Sequence, residues 1–148
     1  MFEKSKNNER ACMFYASDYH FEMISLPYIN ECLKMKKKVV IITERDLRGT
    51  VEKVLERINM DEIEKQKILE VNWEKDNFNE IYNLEKGAVI FVKGEEKYID
   101  NIMKEIEKLE NKEIDIINCY DINKLGEEAK NIADKYNKVL STKGMIEV

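Results

Sequence analysis

The chain has 148 residues, 43% apolar and 37% charged, with a formal net charge of −5. That length fits one domain with a real core, and the acidic balance repels nucleic acid at long range. No stretch approaches the roughly 20 apolar residues of a membrane span and no signal-peptide pattern is visible, so a cytoplasmic protein that touches neither membrane nor nucleic acid is expected.

Residues 1–10 are polar and read as a loose arm, leaving residues 11–148 as a single domain. The first strand is expected over residues 11–15 and a long amphipathic helix over 19–36. Its main stripe is Phe21, Ile24, Tyr28, Cys32 and Met35, widened by Met23, Leu26 and Leu33. Pro27 inside that helix predicts a kink or a late start. The basic run Lys34, Lys36, Lys37 and Lys38 reads as the solvated end of the helix, where cations suit the helix dipole.

An uninterrupted apolar run over residues 39–42 predicts a second strand covered on both faces. Thr43 and Asp46 have the spacing of a capping box for a second helix with the stripe Leu47, Val51, Val54, Leu55 and Ile58. Residues 61–65 read as a short polar helical turn. A third strand is expected over 68–71, followed by Asn72, Trp73 and a weak helix carrying Phe78, Ile81 and Leu84.

Residues 88–92, bounded by Gly87 and Gly94, predict a fourth strand. The next helix carries Ile99, Ile102, Met103, Ile106 and Leu109. A fifth strand over 114–119 ends at Tyr120 and Asp121. Asp121 can cap a fifth helix with the stripe Leu125, Ala129, Ile132, Ala133 and Tyr136. A short strand at 139–140 and a terminal edge strand at 145–148 complete the chain. Repeated strand–helix alternation predicts a three-layer α/β fold: a mostly parallel sheet with helices on both faces.

In such sheets ligands bind beyond the carboxyl ends of the strands. That rule gathers Tyr15, Ser17, Asp18, Tyr19 and His20 after the first strand and Thr43 and Glu44 after the second. Asn72 and Trp73 follow the third, Lys93 and Glu95 the fourth, and Cys119, Tyr120 and Asp121 the fifth. The first loop has neither the glycines nor the Lys-Ser/Thr pair of a phosphate cradle. Its aromatics and acceptors predict a small, mostly apolar ligand. The contact set is Tyr15, Ser17, Asp18, Tyr19, His20, Thr43, Cys119, Tyr120 and Asp121, with Tyr15, Tyr19 and Tyr120 giving apolar contact.

Each of these residues also has a plainer reading. His20, the only histidine, suits a first-turn helix residue capping the loop, and Ser17 and Asp18 suit ordinary helix caps. Trp73 suits core packing. Cys12, Cys32 and Cys119 lack metal-ligand spacing and lie in apolar patterns, so they read as buried free thiols. Cys119, ending a strand, is the candidate for a redox-sensing thiol. No nucleophile elbow is present, no metal site is implied and no cofactor is expected.

The run from Ala11 to Ser17, the helix segment with Pro27-Tyr28-Ile29 and Cys32-Leu33, and the strand Lys37 to Ile42 resemble the opening of the MEDS family, the methanogen and methylotroph sensory domains. Residues 117–122 and 136–140 resemble its closing segment. The chain has Arg10-Ala11 where the family often begins its first strand with histidine, and Tyr136 or Asn137 where it has a second histidine. The resemblance implies a degenerate relative of the KaiC/RecA-type ATPase core, without its phosphate loop or ATPase activity. It also implies small-molecule sensing, with a signal passed to a kinase, a transcription regulator or a second copy of the chain as a homodimer. Two other readings stand beside it. One is a ligand-free interaction or adaptor protein on the same scaffold. The other is a small hydrolase or transferase using Asp18, His20 and Asp121.

Overall fold

A computed structural model describes residues 9–75, 77–84, 87–109 and 113–147. Six strands form one sheet: β1 (Arg10–Tyr15), β2 (Val39–Thr43), β3 (Ala88–Gly94), β4 (Ile114–Asp121), β5 (Lys138–Ser141) and β6 (Gly144–Glu147). Their order is β2-β3-β4-β1-β5-β6, with every pairing parallel except β5 with β6. The helices are α1 (Asp18–Lys34), α2 (Arg48–Leu55), α3 (Glu62–Leu69), α4 (Glu96–Ile106) and α5 (Glu128–Ala133). The expected three-layer α/β architecture is therefore what the chain adopts. Among the described residues, no helix is long and apolar enough to cross a membrane.

Alternation along the strands divides the core into two layers. Met13, Tyr15, Ile41, Phe91 and Cys119 point to one face, where α1, α2 and α3 cover them with Phe21, Ile24, Val51 and Ile68. Cys12, Ile42, Ile90, Val92 and Tyr120 point to the other, under Ile99, Ile106 and Ile132 of α4 and α5. β2 and β3 are buried along their whole length, as their unbroken Val/Ile runs require.

Helix α1 is capped by Ser17, whose Oγ accepts the His20 amide, and starts at Asp18, one residue earlier than its periodicity suggests. Pro27 neither delays nor ends it: the residue lies on the exposed side of a helix continuous from Asp18 to Lys34. Met23 and Met35, counted in the apolar stripe, are 37% and 65% exposed, and Ile29 is buried in their place. The helix closes with Lys36 N–H on the Leu33 carbonyl and Lys37 N–H on the Cys32 carbonyl, with Lys36 at φ 62°. That is a Schellman closure with lysine in the left-handed position that glycine usually fills.

Two expected elements are absent. Thr43 and Asp46 make no capping box for α2, whose N-cap is Leu47 without a side-chain bond. Thr43 stays in β2, where its hydroxyl donates to the Arg45 carbonyl and accepts the Arg45 amide, forming a tight turn instead. The third strand expected over 68–71 is also missing. A real capping box at Asp61 and Glu64 starts α3, and that helix runs through Ile68 to Leu69. Asp121 caps a 3-10 turn at Ile122–Lys124 rather than α5. The arm expected over residues 1–10 lies mostly outside the described residues; Glu9 and Arg10 are described, and Arg10 opens β1.

Candidate functional site

Strand order sets the place of the site. β1 and β4 are neighbours, and their connections leave the middle of the sheet in opposite directions, from β1 to β2 at the far edge and from β4 across β1 to β5. A crevice opens at the carboxyl ends of strands in that arrangement. Here a cavity of about 330 Å3 is lined by Tyr15, Thr43, Glu44, Arg45, Lys93, Gly94, Glu95, Asp121 and Lys124.

The floor is an ion pair. Lys93, next to last in β3, has its side chain only 4% exposed, and its Nζ lies 2.9 Å from Asp18 Oδ1 in the first turn of α1. The ammonium also sits 4.6 Å from the Tyr15 ring centre and 5.3 Å from that of Phe21, within cation–π range. Arg45, after β2, donates through Nη2 to both Asp18 oxygens at 3.1 and 2.9 Å. Asp18 thus ties the loops after β1, β2 and β3 together.

Glu44 holds the opposite wall. Its Oε1 accepts the Glu95 amide at 2.9 Å, at the start of α4, where a carboxylate is favoured by the unpaired N–H groups. Gly94 permits this approach: a Cβ there would press on the Glu44 carboxylate and come within 2.7 Å of the Tyr98 ring. Lys124 and Glu95 pair at 3.4 Å on the rim. Asp121 Oδ1 accepts the Asn123 amide, and Asp121 makes no ion pair with any described residue. The Tyr15 hydroxyl is held well above its ordinary pKa, first by burial and then by the negative charge of Asp121.

The expected contact set divides. Tyr15, Thr43 and Asp121 line the cavity, and Asp18 anchors its floor. Ser17 and His20 are committed to the loop: Ser17 Oγ accepts the His20 amide, and His20 Nδ1 accepts the Ala16 amide at 2.8 Å. The Phe21 amide bonds to the Ser17 carbonyl. The amides of Ala16, His20 and Phe21 are therefore spent within the loop and cannot serve a phosphate. Tyr19 is 55% exposed and faces a separate small cleft beside Thr50, Lys53 and Arg57.

Tyr120 and Cys119 do not reach the cavity. Strand alternation turns Tyr120 to the far face, where its hydroxyl meets that of Tyr136 at 2.8 Å and Tyr136 also accepts from Asn118. Burial and this contact raise the Tyr120 pKa. Cys119 is fully buried on the near face, and desolvation raises its thiol pKa strongly. A thiol so placed lacks the exposed, low-pKa setting of a redox-sensing cysteine. Cys12 and Cys32 are also buried, each pushed up to about 11. Trp73 is core, donating Nε1–H to the Ile68 carbonyl, and Asn72 lies at the amino-terminal edge of the sheet beside Lys38 and Glu80.

The cavity is thus polar and charged, not the ring-lined apolar recess that the sequence suggests. Glu44, Arg45, Lys93, Gly94, Glu95 and Lys124 line the cavity and are missing from the expected contact set, although Glu44, Lys93 and Glu95 are among the strand-end residues. The available signal was a lysine at the end of an otherwise wholly apolar strand, which places its ammonium at the mouth of the sheet. Among the described residues no cluster of His, Cys, Asp and Glu could hold a metal ion. No protein-family model, curated protein or solved structure matches the chain.

Proposed function

We propose that this chain is a sensory or regulatory module, related to the MEDS domains and through them to the KaiC/RecA-type core. It holds a small polar molecule over the strand ends and signals through protein–protein contact. The observation that carries the reading is the Lys93–Asp18–Arg45 network at the floor of the cavity. It joins the loops after three strands, so an occupant touching it bears on α1 and α2 together. Triphosphate is disfavoured for two reasons: the Ala16, His20 and Phe21 amides are internally bonded, and the three cations of the lining are matched by Glu44, Glu95 and Asp121, which leaves no net positive charge for a polyanion.

The hydrolase reading draws no support from the geometry. Asp18 is engaged with Lys93 and Arg45 and His20 with the Ala16 amide, while Asp121, bonded only to the Asn123 amide among the described residues, has neither a nucleophile nor a base as partner. No base is hydrogen-bonded to a nucleophile in this set.

A thermal-shift screen against small metabolites, with Mg-ATP and Mg-GTP included, tests the proposal. A small polar hit that is lost in Lys93→Met, with no response to either nucleotide, is expected. Silence to every compound, together with stable capture of a protein partner, would favour the adaptor reading. Tight nucleotide binding would overturn the account of the loop.

A further inference from the structure

We infer that the strand-end cavity is built for a small zwitterion carrying an ammonium and a carboxylate, of the size of a free amino acid. The inference rests on the ligand-binding reading above and assigns its ligand class. It comes from which charges in the cavity are already spent.

Arg45 has a planar fork of N–H donors. Asp18 uses Nη2 alone, and among the described residues Nε and Nη1 have no partner. Lys93 has three donors, of which Asp18 takes one. Positive donor capacity therefore remains on the side of the cavity formed after β2 and β3, and a planar carboxylate matches the Arg45 fork.

Negative capacity remains on the other side. Asp121 gives Oδ1 to a backbone amide and leaves Oδ2 without a described partner. It lies beside Tyr15 in the register of β4 with β1, while Lys93 pairs with Cys119, two residues before Asp121, in the register of β3 with β4. Neighbouring strands lie about 4.8 Å apart. The unspent charges thus line one cavity, cationic on the β2 and β3 side and anionic on the β4 side, an arrangement that complements the two ends of an amino acid. Lys124 and Glu95 pair with each other, and Glu44, whose Oε1 takes the Glu95 amide, completes the wall with Oε2 as a second acceptor without a described partner. At about 330 Å3 the cavity is at the small end of ligand sites, roughly 300–1,000 Å3.

Calorimetric titration with the twenty proteinogenic amino acids, each with its decarboxylated amine and its deaminated acid, tests this on the full chain. At least one amino acid should bind, with both analogues weaker by about tenfold or more, the loss expected for one charged hydrogen-bonded contact. Arg45→Lys, which retains a cation for Asp18 but lacks the fork, should weaken the amino acid about tenfold and leave the amine unchanged. Asp121→Asn should do the converse, sparing the deaminated acid. Both side chains are at the surface of the site, so a thermal midpoint within a few degrees of the parent confirms folding. Equal binding of parent and analogues overturns the inference. So does binding of a different small molecule with no amino acid bound, although the sensory reading then stands. Silence to all small molecules ends both.

Discussion

Lys93 and Asp18 stand 75 residues apart in the chain and meet at 2.9 Å beneath the cavity, with the lysine side chain 4% exposed and the aspartate 26% exposed. The asymmetry in burial decides what each residue does for stability. Removing the carboxylate strands a desolvated ammonium; removing the ammonium leaves a partly wet carboxylate that still has Arg45.

Asp18→Asn is therefore expected to cost about 3 kcal/mol, near the lower end for breaking a buried pair. Lys93→Met, which keeps volume and apolar contact with Tyr15 and Phe21, is expected to cost less than about 1 kcal/mol. Urea unfolding midpoints of the two variants check the order. A larger loss in Lys93→Met would show that the pair is held by more than desolvation of the lysine.

Lys36 closes α1 in the left-handed region, at φ 62°. Glycine adopts that conformation without a Cβ penalty. Lys36→Gly should raise stability by about 1 kcal/mol, read as a higher urea midpoint at unchanged slope. An unchanged or lower midpoint would mean that the lysine side chain contributes more than the closure costs.

Glu22 is 1% exposed, takes one hydrogen bond from Thr50 and leaves Oε1 unpartnered. Burial, the largest cause, raises its pKa above the ordinary carboxylate value. The folded state then binds a proton at a pH where the unfolded chain has lost it, so this group favours folding less as pH rises through that interval. Asp115, also raised by burial, acts in the same direction. Glu64 acts oppositely: hydrogen bonds from Asn30 and Lys34 depress it to about 2, and its contribution fades as pH falls toward that value. Glu22→Gln should flatten the loss of stability as pH rises above the ordinary carboxylate range and raise the midpoint at neutral pH. Chemical denaturation across that range is the check; a slope identical to the parent would contradict the assignment.

The cysteines should be silent in the native state. All are buried, and their thiol pKa values are raised. A thiol-specific chromogenic reagent should label none within minutes at neutral pH and all of them in urea. Rapid native labelling of Cys119 would restore the redox reading.

How much of this was legible depends on where the information lies. β1, β2, β3 and β4 announce themselves as apolar runs between turn residues, because strands covered on both faces need no polar positions. The region around Ile68 misled because a short apolar run fits a strand or a helix end equally. The capping box at Asp61 and Glu64, seven and four residues earlier, decides for helix. Tyr120 was misplaced for the complementary reason: a strand buried on both faces from Ile116 to Tyr120 carries no clean alternation to say which residue faces which layer. Lys93 could be located at a strand end from sequence, but its partner Asp18 is brought to it only by the sheet order. A lysine's burial is a property of that meeting, not of its neighbours in the chain.

The central claim is that ligands enter over the Lys93–Asp18 floor and not through a phosphate loop. Amide-resolved NMR titration of the isotopically labelled chain, with pooled small metabolites and separately with Mg-ATP, tests it most directly. The account predicts that a metabolite pool moves the amides of Arg45, Lys93, Gly94, Glu95 and Asp121 while Mg-ATP leaves Ala16 to Phe21 in place. Shifts at Ala16 to Phe21 with Mg-ATP, or no movement around the cavity with any pool, would contradict it.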